Sequence, residues 1–384
     1  MSTKLNILTT CLRYPPAPGG AEVLIEQLSQ GLCSRGHNLK VYTSDLFRHN
    51  LPAEWLEKSQ TSRDPSYLKR LSAFYFGAFP YPFFRGLIRK ALKEKNIDLV
   101  HSHNFYYYSA DSGRMISRLK RLPFVFSPYF YIESREAKKW QAYRKTFGRF
   151  TMAADCVIAL SPFEKNLITK YYKPKRIEII PPGINKGIRE KVDFNIYEKY
   201  GCQDKNIILS VGRICYGKGI DITIKALSRI SKKHPDTVLA ITGTDFGDKA
   251  EFVKLAKKLG VAEKILWLGE IKEPILSSAY QYASIFCLPT NYEAFGIVFA
   301  EAMANSLPIV ATNFSAVPGV VPKDKAGFLV PRQNVKAIAG ALERLIENPD
   351  LAAAMGEFGR KEALKYDWDK MTEKIEKIYY ELVK

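Results

Sequence analysis

The chain has 384 residues, of which 46% are hydrophobic and 25% are charged, and its formal net charge is +19. These totals are typical of a soluble globular protein with two domains. No apolar run reaches the roughly 18 residues that a membrane-spanning helix needs. The first residues lack the basic and apolar segments of a signal peptide, so none is expected. Six cysteines are scattered without a CxxC pair, so we expect reduced thiols in a cytoplasmic protein.

The positive charge is concentrated in the first half of the chain. Residues 1–188 contain 30 of the basic and 14 of the acidic side chains, a balance of +16, and the remaining residues add only +3. Such an asymmetry indicates an acidic partner for the first half, for example anionic lipid, a phosphorylated acceptor or nucleic acid. A solvated, lysine-rich surface is the alternative interpretation.

Short apolar runs alternate with longer helical patterns along the whole chain. The segments AEVLIEQLSQGLCSRG and IDITIKALSRISKKHP show the helical period, and they end at Gly36 and Pro235. Apolar runs interleaved with helices are typical of parallel strands that are covered on both faces. The runs are LNILTT, LKVYTS, DLVHSH, FVFSPY, CVIALS and IEIIPP in the first half, and NIILSV, VLAITG, ILWLGE, SIFCLPT, PIVATN and GFLVP in the second.

These two sets of six runs predict an α/β protein with two doubly wound, parallel-sheet (Rossmann-like) domains. Residues 183–203 lose the strand pattern and gain proline, glycine and charge, so we place the joint between the domains there. Ligands of such sheets lie at the carboxyl ends of the strands. Two domains facing each other would therefore enclose a binding cleft.

A glycine-rich turn with two cations follows the run NIILSV. Gly212, Gly217 and Gly219 permit close approach of the backbone, and Arg213 and Lys218 lie in the same turn. A strand-to-helix turn of this kind binds anions well, because free amides and the helix dipole add to the side-chain charge. The spacing resembles a Walker A loop, but the Ser or Thr that ligates Mg²⁺ is missing, so we reject a P-loop NTPase. A turn with incidental cations is the alternative.

Two glutamates flank the Phe-Gly pair in the stretch TNYEAFGIVFAEAMANSLPIVATN, residues 290–313. We expect Glu293 in a loop after a strand, Phe295 and Gly296 at the opening of a helix, and Glu301 about 8 Å or more along that helix. This separation suits a sugar at one end of a diphosphate and a ribose at the other, since carboxylates accept hydrogen bonds from vicinal hydroxyls. Alternatively, Glu293 caps the helix and Glu301 pairs with a lysine on its face.

Two further patterns contain residue types that can bind a metal ion. His101 and His103 lie two apart on a predicted strand and share one face, but no third ligand is evident nearby. The DxD spelling of Asp367 and Asp369 precedes the last helical pattern, where an N-cap is the better interpretation. We therefore expect no metal site, and we interpret His101 as a core residue.

Taken in order, these elements resemble the retaining GT-B glycosyltransferases, family 4 in particular. The shared elements cover nearly the whole chain: the Gly-Gly loop in PPAPGGAE, the histidine strand end in DLVHSHN, the segment SPFEKNLITKYY with IEIIPPGIN, the R-x4-K pair and the E-x7-E element. The resemblance implies a GT-B fold. Residues 1–188 would form an acceptor-binding domain, residues 189–365 a nucleotide-sugar-binding domain, and residues 366–384 a helix that returns to the N-terminal domain.

The resemblance also implies roles for individual residues. Arg213 and Lys218 would hold the diphosphate and stabilise its developing charge in place of a metal, so no cofactor is expected. Glu293 would bind hydroxyls of the sugar, and Glu301 those of the ribose. His103 would contact the transferred sugar. The remaining donor-binding positions would be Gly19 and Gly20 in the N-terminal loop and the backbone amides of Phe295, Gly296 and Ile297.

The reaction implied is transfer of a hexose from a UDP- or GDP-sugar with retention of configuration. The matching positions supply no carboxylate nucleophile for a covalent route, so a displacement on the same face is the more plausible hypothesis. In this mechanism the departing phosphate takes the proton of the acceptor. The base is expected near residues 268–272 and 242–247.

The basic first half of the chain is the expected binding site of the acceptor. Residues 67–95 and 130–150 mix aromatic with basic side chains, which suits the surface of an anionic bilayer. We therefore predict a lipid-linked or glycan acceptor and peripheral contact with the inner face of the cell membrane. Alternatively, these aromatics belong to the core or to an acceptor groove.

Three other functions are conceivable for a chain of this charge and architecture. A nucleic-acid-binding protein lacks any recognisable binding motif in this sequence and leaves the glutamates and cations of the second half unexplained, so we expect no nucleic-acid partner. A phosphorylase of this architecture would need a pyridoxal-phosphate lysine motif, which is not evident. A GT-B-fold nucleotide-sugar epimerase is not excluded by spacing and stays the alternative.

Overall fold

A computed structural model describes residues 4–48, 54–57, 61, 63–76, 81–130 and 141–384. The chain forms two compact units. The N-terminal unit contains the described residues up to Pro182 together with Trp368–Lys384, and the C-terminal unit contains Gly183–Asp367. The sequence placed the joint within residues 183–203 and the domain boundary after residue 188; the observed division falls at the start of that range.

The N-terminal unit is built on a parallel sheet. Its strands are β1 (Asn6–Thr10), β2 (Asn38–Ser44), β3 (Leu46–Arg48), β4 (Glu54–Trp55), β5 (Leu68–Leu71), β6 (Ala73–Phe74), β7 (Phe83–Phe84), β8 (Leu99–His103), β9 (Phe124–Ser127), β10 (Cys156–Ala159) and β11 (Ile177–Ile179). Its helices are α1 (Gly20–Ser34), α2 (Leu87–Leu92), α3 (Tyr108–Lys120), α4 (Gln141–Lys145), α5 (Phe147–Met152), α6 (Pro162–Tyr171) and, from the end of the chain, α14 (Trp368–Val383).

Seven of these strands form one sheet in the order β11-β10-β9-β8-β1-β2-β5. All of its pairs are parallel, whereas β3 with β4 and β6 with β7 form separate antiparallel pairs. The strand order reverses between β1 and β8, so the loops that follow these two strands mark the switch point of the sheet, where ligands bind in such folds.

The C-terminal unit repeats this plan with six strands. They are β12 (Asn206–Val211), β13 (Thr237–Thr242), β14 (Ile265–Gly269), β15 (Ile285–Leu288), β16 (Ile309–Thr312) and β17 (Gly327–Val330). The helices are α7 (Ile220–Ile230), α8 (Lys249–Lys258), α9 (Ile275–Gln281), α10 (Ile297–Ala304), α11 (Val317–Val320), α12 (Val335–Ile346) and α13 (Pro349–Ala363). The parallel order β14-β13-β12-β15-β16-β17 reverses between β12 and β15.

The predicted fold class is confirmed: each of the twelve apolar runs forms a strand of one of the two parallel sheets. The central strands are apolar throughout because both of their faces are covered by helices. Every residue of β8, β9, β10, β13, β15 and β16 is buried. The sequence missed β5, an edge strand whose residues Lys69 and Arg70 are only partly buried.

The last helix packs within the N-terminal unit. Helix α14 begins at Trp368, directly after Asp367, and it lies against α1, where a Cβ on Gly31 would fall 2.6 Å from the Thr372 hydroxyl. The Glu376 carboxylate accepts from His37 Nε2 at 2.8 Å and from Arg35 Nε at 3.0 Å. In the part of the chain that the structure describes, no cluster of three or more His, Cys, Asp or Glu side chains could hold a metal ion.

Candidate active site

The loops that follow β12 and β15 meet at the switch point of the C-terminal sheet. Gly219 has a φ of 72°, and a Cβ there would lie 2.2 Å from the carbonyl oxygen of Pro289. The Asn291 amide donates to the carbonyl of Gly217 at 2.9 Å. Glycine at position 219 is therefore required both by the left-handed backbone and by the close approach of the second loop.

The loop after β13 joins the same edge. A Cβ on Gly243 would lie 1.9 Å from the carbonyl oxygen of Gly212, and the Gly212 amide donates to Thr242 at 3.0 Å. Three neighbouring loops thus form the floor of the site, with the glycine-rich turn predicted from the sequence at its centre.

Lys218 and Glu293 are joined at this floor. The Lys218 ammonium donates to Glu293 Oε1 at 2.5 Å, and the two side chains are only 14% and 12% exposed. The stem of Lys218 lies against Gly212, whose Cβ would sit 3.7 Å from Lys218 Cε. The structure therefore brings together one cation of the predicted R-x4-K pair and the first glutamate of E-x7-E.

Arg213 lies on the exposed side of the same turn. Its guanidinium stands over the ring of Phe246, 5.2 Å from the centroid, and the Phe246 amide donates to the carbonyl of Ile214 at 3.1 Å. A guanidinium over an aromatic face can still donate its N–H groups to a phosphate or a carboxylate.

Helix α10 begins at Ile297, next to the predicted Phe295-Gly296 opening. Gly296 has a φ of 91°, and a Cβ there would lie 2.6 Å from the ring of Phe299. The Phe295 ring is buried and packs on Tyr366 at 5.1 Å, so only its backbone is available to a ligand. The first turn of this eight-residue helix leaves amides without helical partners, which favours an anion there.

Glu301 lies on α10 and is held by a residue that the sequence reasoning missed. The Tyr280 hydroxyl, on α9, donates to Glu301 Oε2 at 2.8 Å. Burial raises the pKa of the Glu301 carboxyl to about 7, the Tyr280 hydrogen bond lowers it, and the negative charge of Glu273 raises it further. Nothing in the spacing of the sequence joins residue 280 to residue 301; only the packing of α9 on α10 does.

In the N-terminal unit, His101 and His103 share a face of β8, with ring centroids 4.1 Å apart. His101 is in the core, as predicted, with Nδ1 2.5 Å from the Tyr379 hydroxyl and Nε2 2.9 Å from Ser127 Oγ. His103 has no exposed surface, and its Nδ1 lies 2.9 Å from the Tyr129 hydroxyl. Burial lowers the pKa of His103 to about 3, so the imidazole is neutral at physiological pH.

The Gly-Gly loop precedes α1. Gly19 has a φ of 150°, and a Cβ there would lie 2.1 Å from Glu22 Oε2, whereas a Cβ on Gly20 would meet nothing within 4 Å. The Glu22 carboxylate pairs with Arg13 at 2.5 Å, and both side chains are nearly buried. The Glu22 side chain of α1 therefore leaves no room for a side chain at position 19, whereas the space beside Gly20 is open.

The basic, aromatic segments are described only in part, since residues 77–80 and 131–140 lie outside the described residues. Phe76 is 63% exposed and Phe147 59% exposed. The Arg144 guanidinium stands over the Tyr171 ring at 4.9 Å. Among the described residues, no helix is both long and apolar enough to span a membrane.

Comparison with known proteins agrees with this architecture. Residues 18–187 match the model of Glycosyltransferase Family 4, and residues 193–362 match that of Glycosyl transferases group 1. A D-inositol 3-phosphate glycosyltransferase from Acidothermus cellulolyticus is 27% identical over 94% of this chain and 85% of its own length. A GDP-mannose-dependent phosphatidylinositol monomannoside mannosyltransferase from Mycolicibacterium smegmatis is 31% identical over 59% of this chain and 62% of its own.

Among solved structures, Anabaena HepE in complex with UDP and glucose superposes with a TM-score of 0.80 over 98% of this chain and 100% of that chain, at 18% identity. The fold and the two family matches define a GT-B glycosyltransferase. Within that class, the chain belongs to the family 4-like enzymes, which use nucleotide-sugar donors.

Proposed function

We propose that this protein transfers a hexose from a UDP- or GDP-sugar to a lipid-linked or glycan acceptor, with retention of configuration. The ion pair of Lys218 and Glu293 at the switch point carries the proposal. A nearly buried lysine and glutamate at the opening of a helix can each replace the other with a ligand group. The ammonium can then bind a diphosphate, and the carboxylate can accept from a sugar hydroxyl. The name of the Mycolicibacterium relative, which is GDP-mannose-dependent, supports the same class of donor.

In this proposal Lys218 and Arg213 bind the diphosphate. Their charge, together with the amides at Phe295, Gly296 and Ile297, stabilises the negative charge that develops as the nucleotide leaves. Fixed cations thus act where other transferases use a metal ion, so we propose that neither a metal nor another cofactor is required. Turnover is expected to persist in the presence of EDTA.

The two glutamates bind the two sugars of the donor. Glu293, released from Lys218 by the diphosphate, accepts hydroxyls of the hexose. Glu301 accepts from the ribose, alongside the Tyr280 hydroxyl that already donates to it at 2.8 Å. Carboxylates suit both positions because vicinal hydroxyls offer two donors to an acceptor-only group.

We propose a displacement on one face of the sugar. The bond from the anomeric carbon to the phosphate oxygen breaks, the acceptor oxygen bonds to the same face, and the acceptor proton passes to the departing phosphate. The matching positions of the sequence offer no carboxylate nucleophile for a covalent alternative.

We propose that the N-terminal unit binds the acceptor. We further propose that the protein is cytoplasmic and that it contacts the inner face of the cell membrane through this unit. Its excess of +16 among residues 1–188 and the exposed Phe76 and Phe147 support an anionic, partly apolar surface as partner. The relatives' names mention D-inositol 3-phosphate and a mannosylated phosphatidylinositol, so inositol phosphate and phosphatidylinositol-based lipids are the first acceptors to test.

The experiment is a panel of UDP-, GDP- and ADP-sugars, with inositol phosphate or phosphatidylinositol vesicles as acceptor, read by released nucleotide. One donor should be turned over, and Lys218→Ala and Glu293→Ala should each lower turnover about 100-fold while circular dichroism stays unchanged. No turnover with any donor would contradict the proposed activity. Wild-type turnover in both variants would contradict the site.

The configuration of the product is read by NMR of the glycosidic linkage. An anomeric configuration identical to that of the donor is expected. The inverted anomer would contradict the same-face displacement, and an isomerised nucleotide-sugar would favour an epimerase instead.

A further inference from the structure

The loop after β15 that carries Glu293 is joined to the glycine-rich turn through its first residues. Thr290 has no exposed surface, and its hydroxyl donates to the carbonyl of Gly217 at 3.2 Å. The Asn291 side-chain amide donates to the carbonyl of Tyr216 at 3.3 Å. These contacts place the start of the loop beside the turn, but none of them is made by Glu293 itself.

The main chain of Glu293 is held from the other side, by the loop after β16, since β16 flanks β15 on the side away from β12. The Glu293 amide donates to Ser315 Oγ at 3.0 Å, and the Glu293 carbonyl accepts from the Ala316 amide at 3.3 Å. At the end of β16, Thr312 Oγ1 donates to the carbonyl of Thr290 at 2.6 Å. Both polar groups of the Glu293 backbone are therefore bound by two consecutive residues of a neighbouring loop.

Ser315 has a backbone conformation that serine rarely adopts. Its φ is 55°, in the left-handed region that favours glycine, asparagine and aspartate. Glycine would adopt this conformation at lower cost, but it would offer no side-chain acceptor to the Glu293 amide. The hydroxyl that distinguishes serine from glycine at this position accepts from Glu293. The unusual φ and the hydrogen bond thus direct attention to the same residue of the candidate site.

The carboxylate of Glu293 has contacts of its own, which a ligand would change. It pairs with the Lys218 ammonium at 2.5 Å, and its side chain is 12% exposed. The side chain passes Gly296, where a Cβ would lie 3.4 Å from Glu293 Cγ. A diphosphate that binds Lys218 breaks the ion pair. The contacts of the Glu293 backbone with Ser315 and Ala316 do not involve the carboxylate, so they persist.

We propose that Ser315 is a positioning residue for the donor sugar. By holding the main chain of Glu293, it keeps the carboxylate within reach of the hexose after the diphosphate has displaced it from Lys218. The inference rests on the proposed function, since it assumes that Glu293 binds the hexose. Ser315 acts through Glu293 and needs no contact with the donor. Without this hydrogen bond, ordering Glu293 on the sugar costs additional conformational entropy.

The test compares alanine and glycine at position 315. Both remove the hydroxyl, and glycine also relieves the cost of the left-handed backbone, so Ser315→Gly should be the more stable variant in denaturant titration. Each should nevertheless lower kcat/KM for the nucleotide-sugar about fivefold, the value of one hydrogen bond. Neither should weaken the binding of UDP or GDP in calorimetry, because the backbone of Glu293 does not bind the diphosphate.

Two results of this comparison would overturn the proposal. If Ser315→Gly regained the kcat/KM that Ser315→Ala loses, activity would follow stability and the role of Ser315 would be structural only. If nucleotide affinity fell as far as kcat/KM, the whole floor of the site would be distorted, and the loss could not be assigned to the sugar. Should Ser315→Ala fail to fold, Ser315→Gly is compared directly with the wild type.

A double-mutant cycle tests whether Ser315 acts through Glu293. Adding Ser315→Ala to Glu293→Ala should cost nothing more in kcat/KM, since the carboxylate that the hydroxyl positions is already absent. The full fivefold loss in the Glu293→Ala background would overturn the proposal, because the hydroxyl would then serve another group.

The matched control is Ser284→Ala. Ser284 Oγ also accepts from a backbone amide, that of Ile207, at 3.1 Å, and Ser284 is likewise partly buried. It lies at the amino ends of β12 and β15, at the opposite edge of the sheet from the site. This variant should keep the kcat/KM of the wild type. A fivefold loss here as well would show that removing any such acceptor slows the enzyme, which would overturn the proposal.

The donor panel separates this inference from the proposed function. Wild-type kinetics in both Ser315 variants, in an enzyme that turns over one of the donors, overturn this inference alone. An absence of wild-type turnover with every donor overturns the proposed function and this inference with it.

Discussion

Glu293 neutralises Lys218 in the C-terminal unit, because their charged atoms are 2.5 Å apart. A nucleoside diphosphate must therefore displace a carboxylate before it can use this cation. We predict that Glu293→Ala binds UDP or GDP about fivefold more tightly than the wild type, while Lys218→Ala binds it about tenfold more weakly. Isothermal titration calorimetry with both nucleotides measures the two changes.

The matched control is Lys225→Ala on α7. Lys225 pairs with Asp221 at 2.8 Å on a more exposed face, so its loss should leave nucleotide affinity as in the wild type. A weakening in Glu293→Ala as large as that in Lys218→Ala would mean that the carboxylate does not compete with the phosphates.

Glu301 should make the stability of the protein depend on pH. Its folded pKa is about 7, above its ordinary value of 4.5, so the folded chain binds this proton more tightly than the unfolded chain does. The stabilisation is complete below about pH 4.5 and is lost as pH rises through 7, by about 3 kcal/mol in all. Chemical denaturation of the wild type and Glu301→Gln between pH 4.5 and 8 measures the difference.

Tyr280→Phe serves as the companion variant. The Tyr280 hydroxyl lowers the pKa of Glu301, so its removal should move the loss of stability to higher pH. Parallel pH profiles for the wild type and Glu301→Gln would contradict the assignment of this proton to Glu301.

The sequence predicted those residues of the candidate site that form motifs of close spacing along the chain. It did not predict the partners that come from distant parts of the chain. The spacing of Arg213 to Lys218 and of Glu293 to Glu301 marked two loops on adjacent strands, and the structure joins Lys218 to Glu293. The contacts of Tyr280 with Glu301 and of Ser315 with Glu293 arise from packing between elements. Such partners leave no periodic pattern, so sequence spacing alone could not identify them.

At the scale of elements, the turn between β12 and α7 depends on Gly219. Any side chain at this position would cost free energy in two ways. The backbone has a left-handed φ of 72°, and a Cβ would lie 2.2 Å from the carbonyl oxygen of Pro289. We predict that Gly219→Ala lowers the free energy of unfolding by about 2–4 kcal/mol, about 1 of it from the backbone and the rest from the clash. Denaturant titration measures the loss.

Gly201→Ala isolates the backbone cost in the same unit. Gly201 has a φ of 61°, and a Cβ there would meet nothing within 4 Å. This variant should lose only about 1 kcal/mol. Equal losses in the two variants would show that the loop containing Pro289 moves away, and the close approach would then not be needed for stability.

The elements that the sequence predicted best are the central strands. Strands buried on both faces, such as β8 and β13, are apolar throughout and stand out from the helices around them. The edge strand β5 has the sequence LKRL, and its two basic residues are only partly buried. An edge strand needs only one covered side and tolerates charge, so its short, basic sequence gave no strand pattern.

At the scale of the whole molecule, the charge asymmetry predicts binding to anionic membranes. The protein should co-sediment with vesicles rich in anionic lipid at low salt and dissociate from them at high salt. It should not bind neutral vesicles. Replacing the exposed Phe147 by serine should weaken the binding, because an inserted aromatic side chain adds to the charge attraction.

Tyr200→Ser is the control on the C-terminal unit. Tyr200 is also exposed, at 39%, and lies beside a cation, with Lys199 5.9 Å from its ring centroid. Its loss should not change vesicle binding. No binding of the wild type to anionic vesicles at low salt would contradict the membrane proposal without affecting the assignment of the donor site.

The most direct measurement of the central claim is a crystal structure of the protein with UDP or GDP bound. The account predicts diphosphate oxygens within about 3 Å of the Lys218 ammonium and of the amides that open α10, with the Lys218–Glu293 contact broken. A nucleotide bound away from the Gly212–Gly219 turn, or bound with that ion pair intact, would contradict the account.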